Sequence, residues 1–380
     1  MSDMITYLSS IRFGDGAVEA LAGDIATLGV KNPLFVTDAG IVAAGLLERA
    51  MLAAGRNDAP VFDGTPPNPT AEAVYSALDL YRDAGCDGIV AVGGGSPIDL
   101  AKAVALLVNH HEPLERYAVI EGGLARIVNP LPPLIAIPTT AGTGSEVGRG
   151  ALISFSDGRK LGLISPKLIP SFAICDPEMT LGLPPMQTAA TGMDAITHCI
   201  ETYLSPKFNP PAEAIALDGL KRGVRNIRRA YEDGSDRSAR REMMMAALEG
   251  GLTFQKGLGS VHALSHPLGG LRDVALHHGM LNAAILPIVL RYCSEAAPDK
   301  FAVLRETIGI GPQADLAEYI ADLSVSLGLP QTIGQFGVKS DVVPTIAQAA
   351  MRDHSHATNV RPMSLVEYER ILEEVISGRR

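Results

Sequence analysis

Four of the chain's nine histidines, His262, His266, His277 and His278, fall within residues 257–279, GLGSVHALSHPLGGLRDVALHHG. His262 and His266 are four apart, so on a helix they share one face, one turn from each other. Upstream, GMDAITH places Asp194 four residues before His198, again on one helical face. One carboxylate with several neutral imidazoles is a donor set suited to a divalent transition ion such as Fe2+ or Zn2+. An isolated helical histidine is more often an ordinary packing residue. Two such pairs and a closing His-Gly, in glycine-rich apolar surroundings, favour a metal site.

A second set of residues could hold phosphates. AVGGGSPIDLAK, residues 91–102, puts three glycines between a strand pattern and a helix pattern. Glycines there let the backbone approach a diphosphate, and the helix N-terminus offers N–H groups and the positive end of its dipole. It is neither a GxGxxG fingerprint nor a Walker A loop. Asp38 closes an earlier strand pattern, where a carboxylate can accept from a ribose hydroxyl and repel the extra phosphate of NADP. The same position equally suits an acid that caps the following helix. PTTAGTGSE, residues 138–146, adds hydroxyl side chains in a glycine-rich turn.

The elements that must position these groups can be read from periodicity. Strand patterns at 32–38, 59–64, 86–96 and 131–140 alternate with helix patterns at 39–55, 70–85 and 97–110. Such alternation predicts a parallel sheet with helices on both faces. From TAATGMDAITHCIETYL onward helical periodicity dominates. The expected organisation is an α/β NAD-binding domain over 1–180 and an all-helical metal-binding domain over 181–380.

Composition narrows the function. In 380 residues, 47% are hydrophobic and 19% charged, the signature of well-buried globular domains. The formal net charge of −10 and the lack of any five-residue Lys/Arg cluster argue against nucleic acid. Cys86, Cys175, Cys199 and Cys293 are scattered and form no CxxC, so neither a disulfide framework nor a zinc cluster is expected. MSDMITYLSS lacks a signal-peptide pattern and no apolar run approaches a membrane span. A cytoplasmic enzyme is the simplest expectation.

GGGSPIDLAK, PTTAGTGSE, ATGMDAITH, VHALSHPLGG and HHG, in this order, resemble the iron-containing (group III) alcohol dehydrogenase family. The resemblance spans nearly the whole chain. It implies an N-terminal dinucleotide-binding α/β domain, an all-α C-terminal domain, an active site in the cleft between them, and a homodimer. The metal ligands it implies are Asp194, His198, His262 and His278, with His277 as the alternative to His278 because the segment before it is longer than usual. His266 matches the family's non-ligand histidine beside nicotinamide and substrate. The implied NAD-binding residues are Asp38, Asn68, Gly94, Gly95, Ser96, Asp99, Thr139, Thr140, Thr143 and Lys160.

IEGGLARI, EVGRGA, CDPEMTLGLP, FNPPAEAIALDGL and LHHGMLNA look most like the branch of the family acting on 4-hydroxybutyrate and succinic semialdehyde. The expected chemistry is hydride exchange with NAD(H), the ion acting as Lewis acid on the alcohol or carbonyl oxygen. His266 would relay a proton, and Phe254 would line the pocket. A substrate carboxylate needs a cation, for which Arg149, Lys256 and Arg272 are candidates. Competing readings are a general alcohol dehydrogenase, another hydroxy-acid or maleylacetate-type reductase, and a dehydroquinate synthase-like cyclase. The last should bring Lys and Arg towards the metal, yet residues 186–206 contain none. A non-catalytic scaffold would have no reason to keep the glycine loop and the metal ligands together.

Overall fold

A computed structural model describes residues 5, 9–271, 274 and 276–378. Two compact units are present. Of the described residues, one holds 9–140 and 144–183, and the other holds Ile5, Ala141–Thr143 and Pro184 onward.

The first unit is built on β1 (Ile11–Phe13), α1 (Leu21–Thr27), β2 (Pro33–Val36), α2 (Ala39–Ala43), α3 (Leu46–Ala54), β3 (Val61–Phe62), α4 (Ala71–Asp83), β4 (Gly88–Gly93), α5 (Gly95–Val108), β5 (Leu134–Pro138), β6 (Gly150–Ser154), β7 (Lys160–Ile164) and β8 (Phe172–Cys175). Six strands form one sheet in the order β1-β8-β5-β4-β2-β3, every neighbouring pair parallel. Leu34, Val36, Ile89 and Ala91 face one core with α4 and α5, while Phe35, Val90 and Val92 face another with α1 and α3. Both faces are covered, which is why these strands read as continuous apolar runs.

Two sequence expectations need correction here. The helix over 39–55 is two helices, because Gly45 takes φ 73°, a left-handed conformation that breaks the first turn pattern and caps the second. Residues 150–164 form an antiparallel hairpin, β6–β7, which the sequence reading passed over. Its burial alternates residue by residue along both strands, the signature of a half-buried ribbon.

The second unit is helical: α6 (Pro185–Leu204), α7 (Pro210–Glu232), α8 (Arg237–Leu252), α9 (Ser260–Leu268), α10 (His278–Cys293), α11 (Pro298–Ile308), α12 (Leu316–Ser326), α13 (Val343–Arg352) and α14 (Leu365–Ser377). Among the described residues no strand follows Cys175. α6 is the central element, buried at every position from Thr188 to Leu204. Its neighbours approach through glycines. A Cβ on Gly192 would stand 2.7 Å from Ile227 Cδ1, and one on Gly250 3.1 Å from His198 Cβ. At its C-terminus Lys256 Nζ donates to the carbonyls of Thr202 and Tyr203, both at 3.0 Å, and of Ser205, satisfying acceptors the helix leaves open.

Candidate active site

Packing around α6 assembles the donor set. Asp194 and His198 project from α6, His262 from α9 and His278 from the first position of α10. Gly279 shows why a glycine must follow His278. A Cβ there would lie 2.1 Å from Ala190 O, so α10 can start against the α6 backbone only without a side chain. Asp194 Oδ1 lies 3.5 Å from His198 Nε2, 3.7 Å from His262 Nε2 and 3.6 Å from His278 Nε2. Asp194, His262 and His278 each offer a donor atom within 4.8 Å of the others.

These separations are longer than hydrogen bonds. Tetrahedral donors around an ion with bonds of about 2.1 Å stand about 3.4 Å apart. The residue types and their spacing therefore fit one divalent transition ion. His277 is exposed and caps α10, so the structure brings His278 to the set and not its neighbour.

Burial and charge tune the cluster. Burial lowers the His198 pKa to about 4 against the pull of Asp194, so the ring stays neutral, as a ligand must be. Burial also opposes charge on His262, but Asp194 and Glu201 outweigh it and raise that group to about 9. For Asp194, burial would raise the pKa, yet His198, His278 and His262 hold it well below the usual carboxylate range. Phe254 sets its ring edge-on to His198, centroids 4.8 Å apart.

Three residues that sequence reasoning missed support the cluster. Glu201 Oε2 accepts from His262 Nδ1 at 2.6 Å, and its other oxygen accepts from Val261 N at 2.7 Å. When His262 gives up its Nε2 proton to serve as a ligand, that bond keeps the remaining proton on Nδ1 and Nε2 aimed at the donor set. Glu201 lies two helical turns beyond Asp194 on α6, so helical spacing could have found it. Asn282 Nδ2 donates to Asp194 Oδ1 at 2.7 Å and lies 3.2 Å from both His262 Nε2 and His278 Nε2. Being four residues after His278, it too was legible as a face-mate. Asp353 Oδ2 accepts from His266 Nδ1 at 2.9 Å. No local signal joins residues 87 apart in sequence. His266 itself stacks on His278, rings 5.8 Å apart and 7° from parallel.

The expected NAD-binding residues, Thr143 apart, lie in the first unit. In the sheet order, β2 leads outward to β3 and the chain then returns to place β4 on the other side of β2. Such a switch point, at the carboxyl ends of the strands, is where open α/β sheets hold ligands. Asp38 follows β2, and Gly93 ends β4 with Gly94 and Gly95 next, the two strand ends being joined by Thr37 Oγ1 donating to Val92 O at 2.8 Å. Gly94 is the N-cap of α5, and Gly93 takes φ 155° where a Cβ would lie 2.5 Å from Pro97 Cγ. Buried hydroxyls of Thr139 and Thr140 have no hydrogen-bond partner among the described residues. Orphaned donors beside a helix N-terminus fit a dinucleotide's phosphates and amide.

Other members of that set carry structural duties. Asp38 caps α2, its Oδ1 accepting from Ile41 N at 3.0 Å. Asp99 accepts from Ser145 Oγ at 2.5 Å and from Leu152 N at 2.9 Å, bracing the threonine loop against the hairpin. Asn68 Oδ1 accepts from Lys160 Nζ at 2.9 Å, and Ser96 Oγ donates to Pro67 O. Thr143 belongs to Ala141–Thr143, where a Cβ on Gly142 would meet Thr191 Cβ at 2.6 Å.

Of the cation candidates, Lys256 is excluded. It is fully buried, donates to three carbonyls and pairs with Glu213 at 3.0 Å, which exhausts an ammonium with three protons. Arg149 is half-buried, and burial lowers its pKa with no acid opposing the shift. Arg272 lies outside the described residues. No helix among the described residues is long and apolar enough to cross a membrane, and all four cysteines are free.

Comparison with known proteins agrees with this geometry. Residues 9–177 match the family model described as iron-containing alcohol dehydrogenase, and residues 188–376 the model of the C-terminal part of the Fe-containing alcohol dehydrogenase family. The chain is 52% identical over 377 residues to 4-hydroxybutyrate dehydrogenase of Cupriavidus necator, covering 97% of this chain and 99% of that one. A crystal structure of 1,3-propanediol oxidoreductase superposes with TM-score 0.90 at 36% identity, over 98% of this chain and 100% of that one. Sulfoacetaldehyde reductase from Bifidobacterium kashiwanohense, in complex with NAD+, superposes with TM-score 0.87 at 26% identity over all of both chains. With matching family models over both units and a donor set of the right chemistry on α6, α9 and α10, the chain belongs to the iron-containing alcohol dehydrogenase family and is a metal-dependent, NAD(H)-linked oxidoreductase.

Proposed function

We propose that this enzyme interconverts 4-hydroxybutyrate and succinic semialdehyde with NAD(H). The observation that carries the reading is the 52% identity, across essentially the full length of both chains, to the 4-hydroxybutyrate dehydrogenase of Cupriavidus necator. Asp194, His198, His262 and His278 would hold Fe2+, or Zn2+, in the domain beginning near residue 181. Asp38, the Gly94–Gly95–Ser96 turn, Thr139 and Thr140 would hold NAD in the domain before it, with Asn68, Asp99, Thr143 and Lys160 completing or bracing that site. When bound, the ion supplies Lewis acidity at the substrate oxygen, and the nicotinamide supplies hydride exchange.

The chain's own residues set up that chemistry. Glu201 orients His262. Asp353 accepts the Nδ1 proton of His266, which leaves the opposite ring nitrogen to take up or give the alcohol proton. Arg149, half-buried and with its pKa lowered by burial, is the remaining described candidate for the substrate carboxylate. A homodimer in the cytoplasm is the state we assign, and free cysteines suit that reducing compartment.

The test compares succinic semialdehyde with butanal, the same chain with a methyl group in place of the carboxylate. Binding energy from the carboxylate should orient the reacting carbon, so butanal should show both a lower kcat and a higher KM. Equal efficiency on the two would reject a carboxylate site and leave a general alcohol dehydrogenase. Arg149→Met should penalise succinic semialdehyde selectively.

A further inference from the structure

Beyond the Asp194 cluster, His266, Asp353 and His354 form a second group of metal-ligating side chains. Each offers one donor atom, and these lie within 4.8 Å of one another. Asp353 is in reach of both imidazoles. Its Oδ2 is 2.9 Å from His266 Nδ1, and its Oδ1 is 3.5 Å from His354 Nδ1. The second distance is too long for a hydrogen bond and equals the shortest oxygen–nitrogen spacing in the Asp194 set. The two rings stack 5.4 Å apart, 18° from parallel, and the Nδ1 atom of each is within 3.5 Å of the Asp353 carboxylate. The Asp353 side chain is 12% exposed and that of His354 31%, which leaves an ion a path from solvent.

We propose that His266, Asp353 and His354 form a second, weaker divalent-cation site that takes Zn2+, and that its occupation inhibits the enzyme. Two imidazoles and one carboxylate suit Zn2+, with water completing four-coordination. Mg2+ and Ca2+ prefer more oxygen ligands and should be poorly held. An ion bound here takes His266 Nδ1 away from Asp353. It removes the bond that orients His266. The inhibition rests on the role proposed above for His266.

The test uses enzyme loaded with one equivalent of Zn2+, titrated further with Zn2+ in a calorimeter and in parallel in a turnover assay with NADH and an accepted aldehyde. Wild type should show a second binding event, and inhibition should follow its saturation. His354→Ala should weaken both by roughly 10- to 100-fold, with the first equivalent retained. His356→Ala should leave both in place, because that ring hydrogen-bonds the Tyr368 hydroxyl at 2.9 Å instead. Mg2+ should give no second event. A single event in wild type, or an unchanged second event in His354→Ala, overturns the site. Weakened binding with unshifted inhibition overturns the regulatory claim alone. Rejection of succinic semialdehyde as substrate would leave the calorimetric result standing.

Discussion

The two units solve the problem of placing functional groups in different ways. In the α/β unit the leading candidate cofactor residues, Asp38, Gly94, Thr139 and Thr140, sit at or just past strand ends, and local backbone geometry puts them there. Gly94 caps α5 and Asp38 caps α2, each within a few residues of its strand. In the helical unit the donors come from α6, α9 and α10, and only packing brings them within reach. A turn site should therefore tolerate side-chain changes with modest local cost. A packed site should fail abruptly, because its members depend on one another.

The largest effect expected from that contrast is at His262. His262→Ala removes one of the nitrogens around Asp194 Oδ1, so the purified protein should lose its ion and turnover should fall by at least about 100-fold. Metal content and kcat check this, and chelation of wild type should reproduce the loss, with Fe2+ or Zn2+ restoring activity. Full activity after chelation would show that turnover needs no ion at the Asp194 cluster.

Glu201→Gln comes next. It keeps the shape but weakens the bond that fixes the His262 tautomer, and ion affinity should drop about 10- to 100-fold. A metal-binding titration measures it. Unchanged affinity would mean that packing alone orients His262.

Asp38→Asn sharpens the other side. Asparagine caps a helix as well as aspartate does, so α2 should keep its stability while the charge is lost. The preference for NAD(H) over NADP(H) should narrow by about 1–3 kcal/mol in kcat/KM, the size of a charged hydrogen bond. If preference and stability are both unmoved, Asp38 serves only the helix.

The smallest effect concerns Glu249, on α8, packed beside α6. Burial, then Asp218, raises its pKa to about 8 against the pull of Arg222. A carboxyl whose folded pKa lies above its unfolded value of about 4.3 contributes stability that is complete below the unfolded pKa. That contribution is lost as pH rises through about 8. Glu249→Gln should therefore gain in Tm on wild type as pH goes from 5 to 9. A constant difference would show that Glu249 is ionised throughout.

Much of this was legible without coordinates. The (i, i+4) pairs Asp194/His198 and His262/His266, the glycine turn and the alternation of strands and helices follow from periods that are local to the chain. The hairpin at 150–164 carries a local signal as well, the Asp157-Gly158 turn pair between two five-residue strands of alternating burial. Lys256 looked like a substrate cation because sequence does not show that its ammonium closes the end of α6.

The sequence by itself determined the residue types, their helical faces and their family resemblance, since each depends on neighbours within a turn or two. The resemblance already favoured His278 over His277; tertiary structure adds that Gly279 lets α10 start against Ala190 O, which sets His278 beside Asp194 and His262. Tertiary structure alone paired His266 with Asp353 and set His354 beside them, for contacts across some 90 residues arise from packing and leave no periodic trace.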